Sequence, residues 1–78
     1  PTTTIEFSLP KEEMVTLELF NLLGEKVVTL VQGDLAIGHH KVLWNGNDKS
    51  GRDMPSGIYL CRLKTESFQK TMKMILSK

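Results

Sequence analysis

Residues 38–59, GHHKVLWNGNDKSGRDMPSGIY, decide how the rest of the chain is read. Val42 and Trp44 alternate with Lys41, Leu43 and Asn45, the period of two that a pleated strand imposes on its side chains. Residues 46–57 then hold three glycines and Pro55 among polar side chains, so they form a connection, the longest in the chain. Beyond it Tyr59, Cys61 and Leu63 alternate with Leu60, Arg62 and Lys64. A strand, a long polar turn and a second strand are expected, with Trp44 and Tyr59 meeting in a core.

The same period runs outward in both directions. Ile5, Phe7 and Leu9 face one way and Thr4, Glu6 and Ser8 the other; Pro10 ends that run because it has no N–H to give a ladder. Val15, Leu17 and Leu19 are expected inward and Thr16 and Glu18 outward, with Phe20 half exposed. Asn21 and Gly24 bracket Leu22 and Leu23. Asn can bond its own backbone and Gly can take a positive φ, which predicts a tight hairpin on a type I turn with a glycine bulge.

In residues 25–32 the adjacent Val27, Val28, Leu30 and Val31 leave the facing ambiguous unless a bulge intervenes; Val28 and Leu30 are the expected inward pair. Residues 33–38 are expected to be a loop, and residues 65–67 a turn. The last run, residues 68–77, sets Met72, Met74 and Leu76 on one face against Lys73 and Ile75 on the other. No window sustains a helical stripe. The expected fold is all-β, an antiparallel β-sandwich of six or seven short strands forming one domain over residues 1–78.

A chain of 78 residues buries a thin core and has little room for a deep catalytic cleft. Ten basic and nine acidic side chains give a net charge of +1, which offers no electrostatic footprint for nucleic acid. The charge is uneven along the chain: after residue 66 come Lys70, Lys73 and Lys78 and no acid. Cys61 is the sole cysteine, which rules out a disulfide scaffold. No apolar run approaches the roughly 20 residues that span a bilayer. The N-terminus lacks the basic and apolar regions of a signal peptide, and Pro1 stands where a methionine would start a gene product. The chain therefore reads as part of a longer protein that carries any export address elsewhere.

Candidate chemistry is sparse. His39 and His40 are neighbours in a strand and point to opposite faces, so they cannot converge on one ion. The turn at residues 45–53 is rich in oxygen ligands, but Lys49 occupies a ligand position and no bidentate Glu follows, which favours a structural turn over a calcium loop. Nothing resembles a nucleophile elbow or a Cys–His signature. Cys61 sits on an apolar face as a buried thiol. Trp44 and Tyr59 could present a sugar-stacking platform, but one large aromatic with a neighbour filling a small core is the simpler reading. No cofactor, metal or catalytic residue is assigned.

The ordered set Pro1-Thr-Thr-Thr-Ile5, Phe7, Leu9-Pro10, Asn21-Leu-Leu-Gly24-Glu-Lys-Val27, Gly38-x-His40-x-Val42-x-Trp44-x-Gly46 and Ser56-Gly57-Ile58-Tyr59 resembles two related families over nearly the whole chain. One is the type A C-terminal sorting domain of the type IX secretion system; the other is the Ig-like domain of the flagellar hook-capping protein. The resemblance implies an Ig-like sandwich with Gly24, Trp44, Gly57 and Tyr59 as structural positions. Its first reading is a non-catalytic sorting module that takes a larger bacterial protein through the periplasm to the surface or medium. Its partners would be the outer-membrane secretion apparatus and an upstream domain, with Lys70, Lys73 and Lys78 in the recognised tail. The alternatives are a structural interaction module of the hook-capping kind and a carbohydrate-binding accessory module. The plain reading of those lysines is an edge strand protected from aggregation.

Overall fold

Alternating apolar residues place six strands among the described residues: β1 (Thr3–Leu9), β2 (Glu13–Phe20), β3 (Lys26–Leu35), β4 (Gly38–Trp44), β5 (Gly57–Thr65) and β6 (Gln69–Leu76). The computed structural model describes residues 2–77. β1 pairs with β4 in a two-stranded antiparallel sheet, and the other four form an antiparallel sheet in the order β3-β2-β5-β6. The two sheets share one apolar core, an Ig-like sandwich.

The central strands carry the centre of that core. Val15, Leu17 and Leu19 of β2 and Cys61 and Leu63 of β5 are fully buried or nearly so, with Leu17 opposite Leu63 and Leu19 opposite Cys61. Ile5, Phe7, Leu9 and Trp44 close it from the smaller sheet, and Leu76 reaches it from β6. Each such leucine contributes about 1.5–3 kcal/mol by leaving water. Glu13 is buried at the start of β2, where its Oε1 accepts from Ser67 Oγ at 2.7 Å and fastens β2 to the β5–β6 turn. That bond holds the Glu13 carboxyl below the usual range.

β3 departs from the expected alternation. Leu17 lies opposite Val31 but Glu18 opposite Thr29, and Leu19 opposite Val28 but Phe20 opposite Lys26. Leu30 and Val27 are therefore extra residues at two bulges, each setting two residues against one. Val27 is the buried one, whereas Val28, Leu30 and Val31 are half-buried against the core. The expected inward pair, Val28 and Leu30, does pack against the core, but Val27, which alternation alone left out, is the most buried residue of the strand.

The loop expected at residues 33–38 shrinks to Ala36 and Ile37. Gly33 stays in the ladder opposite Val15, and Leu35 lies opposite Glu13. Pairing with β2 gives these backbone groups partners, which outweighs the cost of about 0.5–1 kcal/mol for glycine inside a strand.

Candidate interaction surfaces

Asn21 and Asp48 each begin the same five-residue turn. Gly24 N–H donates to the Asn21 carbonyl at 3.0 Å and Asn21 N–H to the Glu25 carbonyl at 3.0 Å. Gly51 N–H donates to Asp48 at 3.0 Å, and Asp48 N–H to Arg52 at 2.9 Å. In both turns the first side chain's Oδ1 accepts two more backbone N–H groups, from Leu23 and Glu25 at Asn21 and from Ser50 and Arg52 at Asp48. The glycines take φ of +85° and +86°, where a Cβ is strained.

The second turn sits inside the stretch weighed as a calcium loop. Asp48 has Oδ1 occupied by backbone donors and Oδ2 3.2 Å from Arg52 Nε. The N–H of Arg52, ahead of that of Ser50, holds its carboxyl below the usual range. Both oxygens are engaged within the turn. Among the described residues, no group of three His, Cys, Asp or Glu side chains is placed to hold a metal ion.

Trp44 and Tyr59 hold the long connection down. Their rings meet edge to face at 5.1 Å. Trp44 Nε1 donates to the Asn47 carbonyl at 2.9 Å, and Tyr59 Oη to the Pro55 carbonyl at 2.6 Å. Lys49 N–H reaches the carbonyl of the bulged Val27 at 3.2 Å. With Trp44 only 1% exposed, the pair offers no ring face to a sugar. Gly57 opens β5 at φ +153°. Cys61 is enclosed, and burial pushes its thiol up to about 11, far from a reactive thiolate at neutral pH.

The two histidines stand on opposite faces of β4. His40 stacks on Phe7 at 5.5 Å and its Nε2 lies 2.7 Å from the Ala36 carbonyl. On the outer face, His39 Nδ1 is 3.2 Å from Ser8 Oγ and His39 Nε2 2.9 Å from Glu6 Oε1. The bond to His39 lowers the Glu6 carboxyl. Sequence reading missed this Ser–His–Glu series, because it depends on the β1–β4 register, which sets Ser8 opposite His39. The group lies on an open sheet face with His39 and Glu6 about half exposed. It lacks the enclosed, dry setting in which a serine is activated and acts as a cross-strand polar tie.

The outer face of the larger sheet is more apolar. Phe20 lies opposite Leu60, Leu60 opposite Lys73, and Ile58 opposite Ile75. Ile75 is 65% exposed, and beyond Phe20 the hairpin tip carries Leu22 at 65% and Leu23 at 85%. Arg62 covers part of the Phe20 ring at 4.8 Å and donates to Glu18 at 2.8 Å, with Lys26 on the same carboxylate at 3.4 Å. Those bonds, Arg62 first, hold Glu18 below the usual carboxylate range. Lys70 and Lys73 are exposed on β6, an edge strand; Lys78 lies outside the described residues. An apolar cluster of this kind at one end of a sheet has the composition of a protein contact surface.

Comparison with known proteins agrees with this architecture. No curated protein matches the sequence. Among solved structures, FlgD from P. aeruginosa superposes with a TM-score of 0.77 at 25% sequence identity, over 97% of this chain and 60% of that one. The chain thus spans less than two thirds of that solved protein. The sequence profile of the FlgD Ig-like domain matches residues 2–68, and the chain belongs to the FlgD Ig-like domain family.

Proposed function

We propose that this chain is a non-catalytic structural module of a larger protein, an Ig-like interaction domain of the kind found in flagellar hook-capping proteins. The observation that carries the reading is the family match over residues 2–68. The exposed apolar end of the larger sheet supports it, because a stably folded domain has no internal need of Leu22, Leu23 and Ile75 in water. The partners on this reading are an adjoining domain of the parent and other subunits of an assembly outside the cytoplasm. Photo-crosslinking residues placed at Leu22, Leu23 and Ile75 in the full-length parent test it in cells. Protein crosslinks from at least one position are expected; none from all three contradicts the proposal.

A second reading, a sorting signal read by an outer-membrane secretion apparatus, draws on the basic final strand. β6 follows the end of the family match and exposes Lys70 and Lys73, one on each face of the strand. Fusing the domain to a periplasmic reporter in a host with type IX secretion separates the two. Delivery of the reporter to the surface, lost on removing residues 74–78, supports sorting, and retention of the intact fusion in the periplasm excludes it.

A further inference from the structure

β1 and β6 are both sheet edges, and they flank one groove. Among the described residues β1 has only β4 as a ladder neighbour and β6 only β5, so each leaves one side of its backbone without a strand there. The groove between them is about 300 Å³, walled by residues 3–6 of β1 and 72–75 of β6. Four residues at about 3.3 Å each make a slot roughly 13 Å long, the footprint of one short extended segment. On the other side of the sandwich β3 passes into β4 through Ala36 and Ile37, and Val27 accepts the Lys49 N–H.

The walls define what fits. Met72 and Met74 are half-buried and face the core side of β6, while Lys73 and Ile75 are exposed on the other. A strand added along β6 continues both rows, with apolar residues beside the methionines and an acid beside Lys73. β6 contains no Asp or Glu, and among the described residues Lys70 and Lys73 enter no ion pair. Glu6 on the facing wall is already bonded to His39. A second copy of β6 would bring a basic strand against itself, which like charges disfavour.

We propose that the β1–β6 groove is a strand-addition site for an extended segment of a partner protein that alternates acidic and apolar residues, held by main-chain bonds to the open edge and by Lys73. This rests on reading the chain as an interaction module and names the kind of partner it takes. The test titrates the 78-residue chain, isotopically labelled for amide spectra, with the synthetic peptide TVEVEVT and its charge-reversed form TVKVKVT. The acidic peptide is expected to shift amides of residues 72–75 and 3–6 and to bind at least ten-fold more tightly, with Lys73→Glu inverting the preference. Equal affinity for the two peptides, or shifts confined elsewhere, overturns the proposal, as does dimerisation of the unliganded chain through β6. Absent peptide binding with crosslinks persisting from Leu23 sinks the groove alone; loss of both sinks the interaction module as well.

Discussion

The turns at residues 21–25 and 48–52 share one set of backbone bonds and nearly the same glycine φ, yet they do opposite things. The first projects from the β2–β3 hairpin with two leucines in water. The second is folded back: Lys49 N–H reaches Val27, Trp44 Nε1 reaches Asn47, and Met54 N–H reaches Gly46 at 2.8 Å. Local sequence chemistry sets the turn, and contacts outside it decide whether the turn locks the core or stays available. Nothing in the bonding of the first turn calls for leucine at its tip, and on the proposed reading those side chains meet a partner.

Removing the anchor should have the largest effect. Trp44→Ala deletes a buried ring and the bond to Asn47, at an expected cost of about 3–5 kcal/mol, enough to unfold a domain of this size. A denaturant melt measures it; a variant that unfolds within about 1 kcal/mol of the parent would show that the second turn is not anchored through Trp44. The two glycines come next. A Cβ added at either would meet no atom beyond its chain neighbours within 4 Å, so Gly24→Ala and Gly51→Ala should each cost about 1 kcal/mol through φ alone. Equal shifts in paired melts support the identity of the turns, and a neutral result at either one breaks it.

Acid should act on the leading side chain of one turn and not on that of the other, because Asn21 is an amide and Asp48 a carboxylate. The folded pKa of Asp48 is lowered from 3.8. Its contribution is therefore complete above that pH and is lost as pH falls below it and through the folded value. Glu6, Glu13 and Glu18 act with the same sign below 4.5. Asp48→Asn keeps the Oδ1 acceptor and should flatten only the lowest-pH limb of thermal stability; an unchanged acid limb would contradict this. The smallest stability effect is expected from Leu22→Ser with Leu23→Ser, within about 0.5 kcal/mol of the parent. A substantially larger loss in the same melt would mean that the tip serves the fold.

Alternation made β1, β2, β5 and β6 legible, because each buries one face and shows the other to water, as Ile5 against Glu6 and Leu63 against Lys64 do. β3 was not, since bulges at Val27 and Leu30 depend on its register with β2. The kinship of the two turns was hidden by their tips, Leu-Leu in one and Lys-Ser in the other, although Asx and Gly stand at the same spacing in both. The Ser8–His39–Glu6 series and the β1–β6 groove are products of strand pairing and sheet packing. Sequence patterning shows which face a residue takes, and it does not show which distant edges come to border one another.

Amide hydrogen exchange of the full-length parent, free and in its assembled state, tests most directly whether the fold separates a locked side from a contact side. Protection should rise on assembly along residues 72–75 and at the exposed tip of residues 22–25, while the amides of Lys49, Gly51 and Met54, in the turn tied back through Val27 and Trp44, stay as they were. Protection that rises at residues 48–54 instead, or nowhere in the domain, would contradict the division.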